Sequence, residues 1–65
     1  MKYTIVLKKT EEGFSVFCPG LPGCWSQGDS EAEALENIQD AIREYLAAVA
    51  EYYRDADVRQ IEIAG

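Results

Sequence analysis

The five residues Pro19-Gly20-Leu21-Pro22-Gly23 constrain this chain more than any others. Each proline fixes φ and lacks an N–H, and each glycine admits φ > 0. No regular element runs through such a stretch. The two Pro-Gly pairs fit the central positions of type II turns. Leu21, stranded between them, is expected to fold back as an apolar plug. The break separates a part with strand-like alternation from a part that turns to helical spacing.

Upstream, residues 2–9 alternate. Tyr3, Ile5 and Leu7 share one face, and Thr4, Val6 and Lys8 share the other. β-branched and aromatic side chains favour a strand there. Thr10-Glu11-Glu12-Gly13 is a polar connection that ends in glycine, and residues 14–18 read as a second strand paired antiparallel with the first. Beyond the break, residues 24–27 form a short third strand closed by Gly28-Asp29. Ser30-Glu31-Ala32-Glu33 has the form of a capping box, in which the serine accepts a free helix N–H and the glutamate reaches back. Leu35, Ile38, Ile42, Tyr45, Leu46, Val49 and Tyr53 then recur at three and four, one apolar stripe on a helix of roughly 22 residues. After a polar exit, residues 58–63 are predicted as a last strand with Ile61 and Ile63 on one face. The predicted class is α+β, in the order β-β-β-α-β: an antiparallel sheet with one long helix on one face.

At 65 residues the chain is read as one domain, 1–65, because a second would leave neither half a core. Such a chain buries only about 60% of its unfolded surface. Its margin is small, and a homo-oligomer, dimer or tetramer, is expected. One helix covers one sheet face. Val6, Phe17 and Trp25 are expected on the other, and an uncovered apolar patch marks an interface. Six basic and twelve acidic residues give a net charge of −6. That sign is wrong for a polyanion, whose affinity comes from cations displacing counterions. Autonomous nucleic-acid binding is therefore not expected, whereas a basic protein partner suits the field.

Histidine is absent, which removes the commonest general base and every Ser–His or Cys–His nucleophile pair. Cys18 and Cys24 flank the break. They can form a disulfide if their Cα atoms lie within about 7 Å. In a reducing compartment the preferred reading is two buried thiols acting as small hydrophobes. Two cysteines are too few for structural zinc, which wants four ligands. Glu36, Asp40, Glu44 and Glu51 recur near every fourth residue, as a solvated helix face does. None is set in the apolar surroundings that raise a carboxylate pKa. No catalytic, cofactor-binding or metal-binding residue is assigned, no cofactor is expected, and the chain is read as no enzyme. No secretory signal opens it, and no apolar run approaches the ~20 residues that span a bilayer. A cytoplasmic protein with no membrane association is expected.

From residue 13 to residue 38 the chain reads G-F-S-V-F-C-P-G-L-P-G-C-W-S-Q-G-D-S-E-A-E-A-L-E-N-I. An aromatic strand, then P-x-L-P-G-C, then a short strand ending in G-D-S, then x-x-E-A-L-x-N-I opening a helix closely resembles the HicB antitoxin family. The likeness extends over almost the whole chain, including the downstream A-I-R-E-Y-L. The resemblance implies a partial ribonuclease-H-like fold without catalytic carboxylates. It also implies a partner, HicA, a small basic toxin that cleaves RNA and whose active site the acidic domain would mask. The alternative within the same family is an orphan homo-oligomeric domain with a structural or unknown binding role and no toxin partner. Full-length family antitoxins carry a C-terminal helix-turn-helix or ribbon-helix-helix segment. This sequence stops at Gly65, so no C-terminal DNA-binding segment is expected. The candidate partner or oligomer contacts are Val6, Phe17 and Trp25 as apolar anchors, with Glu11, Glu12, Asp29, Asp40 and Glu44 as charges that set the on-rate.

Overall fold

The computed structural model describes residues 2–64. Strands β1 (Val6–Thr10), β2 (Gly13–Phe17) and β3 (Trp25–Gly28) form an antiparallel sheet in the order β1-β2-β3, followed by the helix α1 (Glu31–Tyr52). β1 starts later than its alternation suggests. Pairing runs from Val6 opposite Phe17 to Thr10 opposite Gly13, and β2 ends at Phe17. Tyr3 and Ile5, which precede the ladder, still pack half-buried against the core. Gly13 has φ 141°, and a Cβ there would lie 2.5 Å from the Gly28 carbonyl oxygen. Glycine is what lets β2 begin this close to the end of β3.

The double Pro-Gly stretch makes two turns of different kind. The Leu21 N–H donates to the Cys18 carbonyl at 3.0 Å, and the Cys24 N–H donates to the Leu21 carbonyl at 2.9 Å. Gly23 has φ 83°, as a type II turn with proline before it requires. Gly20 is not at positive φ, so the first turn is not the type II turn expected of it. Leu21 packs against the core between the turns, as the plug reading requires.

Ser30 caps α1. Its backbone is extended (φ −129°, ψ 164°) and its Oγ accepts the Glu33 N–H at 3.1 Å. The return bond from the Glu33 side chain is not formed among the described residues, so the expected capping box is one-sided. Ala34 and Ile38 bury their side chains against Val16, Cys18 and Cys24, and Ala41, Ile42 and Tyr45 pack onto the same cluster. The helix lies chiefly over β3 and less over β2. The Asn37 side chain fastens it there by donating to the Gln27 carbonyl at 2.8 Å.

The predicted last strand does not form among the described residues, and the observed order is β-β-β-α. Val58, Ile61 and Ile63 are 69%, 81% and 82% exposed. The helix has 22 residues. At 1.5 Å per residue it is about 33 Å long, more than twice the ~14 Å of β3. It carries the chain past the sheet, and an alternating segment without a neighbouring strand stays unpaired. Tyr53, expected on the apolar stripe, instead ends the helix as its C-cap and is about half exposed.

Candidate protein-binding surface

The register collects three of the predicted residues into one row. Val6 stands opposite Phe17, and Phe17 stands opposite Trp25. The adjacent row, Leu7, Val16 and Ser26, faces the helix. Alternation therefore turns the Val6, Phe17 and Trp25 row to the bare side of the sheet. Their exposures are 39%, 45% and 63%. Beside the row, Phe17, Pro19, Pro22 and Trp25 line a shallow apolar hollow. The two prolines were not among the expected contacts. Their signal was the turn itself, which folds them against the aromatic row.

Glu11, Glu12 and Asp29 meet elsewhere. Glu11 and Glu12 form the tip of the β1–β2 hairpin, and Asp29 joins β3 to α1. With Glu33 and Asn37 they surround a shallow groove at the other end of the sheet. Val6 and Thr10 bound β1, so the apolar row and this acidic end lie about 14 Å apart.

Asp40 and Glu44 are not part of either region. Successive helical residues turn by about 100°. Ile38, Ala41, Ile42 and Tyr45 face the core, which places Asp40 and Glu44 on the side of the helix turned away from the sheet. That layer is opposite the aromatic row. Asp40 is already paired there with Arg43 at 2.8 Å. The other arginines are held locally too, Arg54 by Glu51 at 3.3 Å and Arg59 by Asp57 at 2.9 Å. All three pairs are exposed and contribute little to stability. They do disperse the arginines, so no cluster fit for phosphate forms among the described residues.

Cys18 and Cys24 are free thiols in the core, 2% and 5% exposed. The Cys18 N–H donates to the Cys24 carbonyl at 3.0 Å. Burial pushes the Cys24 thiol above its ordinary pKa, and the neighbouring Cys18 adds to the rise. A thiol held protonated is a poor nucleophile. Among the described residues, no group of three or more acidic or cysteine side chains is placed to hold a metal ion. No helix among them is long and apolar enough to cross a membrane.

A sheet covered on one side, with an aromatic row on its bare side and acidic groups at its end, defines a small α+β module with one uncovered apolar face. The chain belongs to the HicB-like antitoxins of bacterial toxin-antitoxin systems, whose family model matches residues 3–63. It is 45% identical over 53 residues to a UPF0150 protein of Thermoplasma acidophilum, an alignment covering 80% of this chain and 77% of that protein. It is 46% identical over 48 residues to a UPF0150 protein of Synechocystis, covering 72% of this chain and 61% of the relative. A UPF0150 protein of Helicobacter pylori is 50% identical over 46 residues, covering 71% and 64%. The matched part thus spans less than two thirds of the latter two relatives. No solved structure gives a significant match. The family match agrees with the resemblance read from the Gly13 to Ile38 motif, and it makes the general role that of an antitoxin.

Proposed function

We propose that this chain neutralises a small basic HicA-like ribonuclease toxin by docking on it through the bare sheet face and masking its active site. The observation that carries this reading is the exposed row of Val6, Phe17 and Trp25, in register across all three strands, on a chain of net charge −6. Binding hot spots are aromatic anchors that fill desolvated pockets. Trp25 and Phe17, beside the hollow walled by Pro19 and Pro22, have that form. Glu11, Glu12 and Asp29 supply an acidic rim at one end of the same sheet, which steers a basic partner and raises the on-rate. Asp40 and Glu44 lie in the other layer and act only through the long-range field, which is screened beyond about 8 Å at physiological ionic strength. The mechanism is occlusion, one antitoxin site per toxin, with no chemical step of its own. Its place is the cytoplasm, where such a toxin meets RNA. It does not bind duplex DNA by itself, because its cations are few and its three arginines are paired.

Stopped-flow binding to a cognate HicA-like toxin tests this reading. Added salt should slow association far more than it speeds dissociation. Trp25→Ser should speed dissociation by about tenfold or more, with helix content unchanged. Unchanged dissociation for Trp25→Ser, together with loss of the complex for Asp40→Lys/Glu44→Lys, would place the contact on the helix and defeat the reading.

A further inference from the structure

Besides the sheet face, the fold leaves the apolar side chains after the helix uncovered. The radius of gyration is 14.7 Å, against about 11 Å for a compact chain of this length. The excess comes from the second half of α1 and the tail. Tyr45 is the last helical residue packed on the core, and residues 58–63 stand in the open with Ile61 and Ile63 more than four-fifths exposed. At the other end of the molecule's topology is a matching vacancy. β1 is an edge strand, and the helix barely reaches it. Leu7 on its inner side, and Ile5 just before it, are therefore only half-covered. The opposite edge, β3, lies under the helix and is engaged by Asn37. An open edge strand is a template for pairing with another chain.

We propose that residues 58–63 of one copy add as a fourth strand along the β1 edge of a second copy, each copy serving the other, so that the protein is a strand-exchanged homodimer. The alternation fits this edge in detail. If Ile61 and Ile63 turn to the inner side beside Leu7 and Ile5, then Glu62 turns to the outer side with Lys8. Arg59 is already held by Asp57, whereas Glu62 has no ion-pair partner among the described residues and can meet Lys8. The contact is self-complementary, as a two-fold interface must be, and main-chain ladder bonds supply the rest, as in strand addition generally. A second copy is favoured over the chain's own sheet by the helix, which delivers the tail beyond that sheet with only a short turn, closed by the Ala56 N–H to the Tyr53 carbonyl, to bring it back. The dimer uses the edge and leaves the bare sheet face free, so strand exchange and toxin docking can occur on the same molecule.

Sedimentation and mixed-label NMR of the full chain test it. The wild type should sediment as a dimer of the 7.3 kDa chain. Ile61→Asp/Ile63→Asp should raise the dimer Kd by about 100-fold or more, the effect expected of exposing two buried isoleucines. Because both side chains lie outside the core, helical circular dichroism should persist. In a mixture of 13C-labelled and unlabelled chains, Ile61 or Ile63 methyl contacts to Leu7 should cross between copies. A wild type that stays monomeric at millimolar concentration would overturn the proposal. So would a dimer indifferent to both substitutions, or Ile61 and Ile63 contacts to Leu7 found only within one copy.

Discussion

Gly28 lies directly beneath Ala34: a Cβ on Gly28 would stand 2.5 Å from the Ala34 backbone nitrogen and 2.9 Å from its Cα. The first turn of α1 therefore rests on bare backbone of β3. That approach seats Ala34 and Ile38 in the core and fixes the tilt at which the helix covers β3 and β2. It also fixes which sheet face stays bare.

Gly28→Ala should accordingly destabilise the fold by about 1–3 kcal/mol, the usual range for overpacking, because the obstacle is helix backbone and not a flexible side chain. Gly20→Ala is the control. Nothing lies within 4 Å of its Cβ position and its φ is not positive, so its effect should stay within about 0.5 kcal/mol. Urea denaturation of the two variants gives the comparison. Equal losses would mean that the close approach does not limit packing.

Ser30→Ala removes the acceptor of the Glu33 N–H and should cost about 1 kcal/mol. Glu33→Ala should cost less, since the glutamate makes no return bond and acts only through the helix dipole. Thermal unfolding monitored by circular dichroism checks the order. A larger loss for Glu33→Ala would show that the reciprocal cap forms in solution.

Much of this was legible in the residues. Alternation locates the first two strands and puts Val6, Phe17 and Trp25 on a common face, the Pro-Gly break and Gly28-Asp29 bound the third, and Ser30 marks the start of the helix. The fourth strand does not form among the described residues of the chain because alternation reports a segment's capacity to pair, not the presence of a neighbour. Residues 58–63 have the pattern, and the long helix takes them away from the sheet. Asp40 and Glu44 were grouped with Glu11, Glu12 and Asp29 by charge alone, and only the two-layer arrangement separates them. The roles of Gly13 and Gly28 depend on contacts between distant elements, for which the sequence offers no more than a glycine in place.

Stability should fall as pH rises above the ordinary thiol range, near 8.5. Burial, and then Cys18, raise the folded-state pKa of Cys24 above its unfolded value. The folded state then holds the proton more tightly. The contribution is complete below the unfolded pKa and is lost as pH rises through the folded one. Denaturation midpoints between about pH 7 and about pH 10 should decline more steeply for the wild type than for Cys24→Ala. Parallel slopes would show that Cys24 titrates alike in both states.

We propose that the bare sheet face of this antitoxin masks a toxin. The most direct measurement is the ribonuclease activity of a cognate HicA-like toxin titrated with the folded chain, wild type and Trp25→Ser side by side. Wild type should abolish activity near one binding site per toxin, and Trp25→Ser should need about tenfold more. Full toxin activity at roughly tenfold excess of folded wild type would contradict it, and an orphan self-associating domain would take its place.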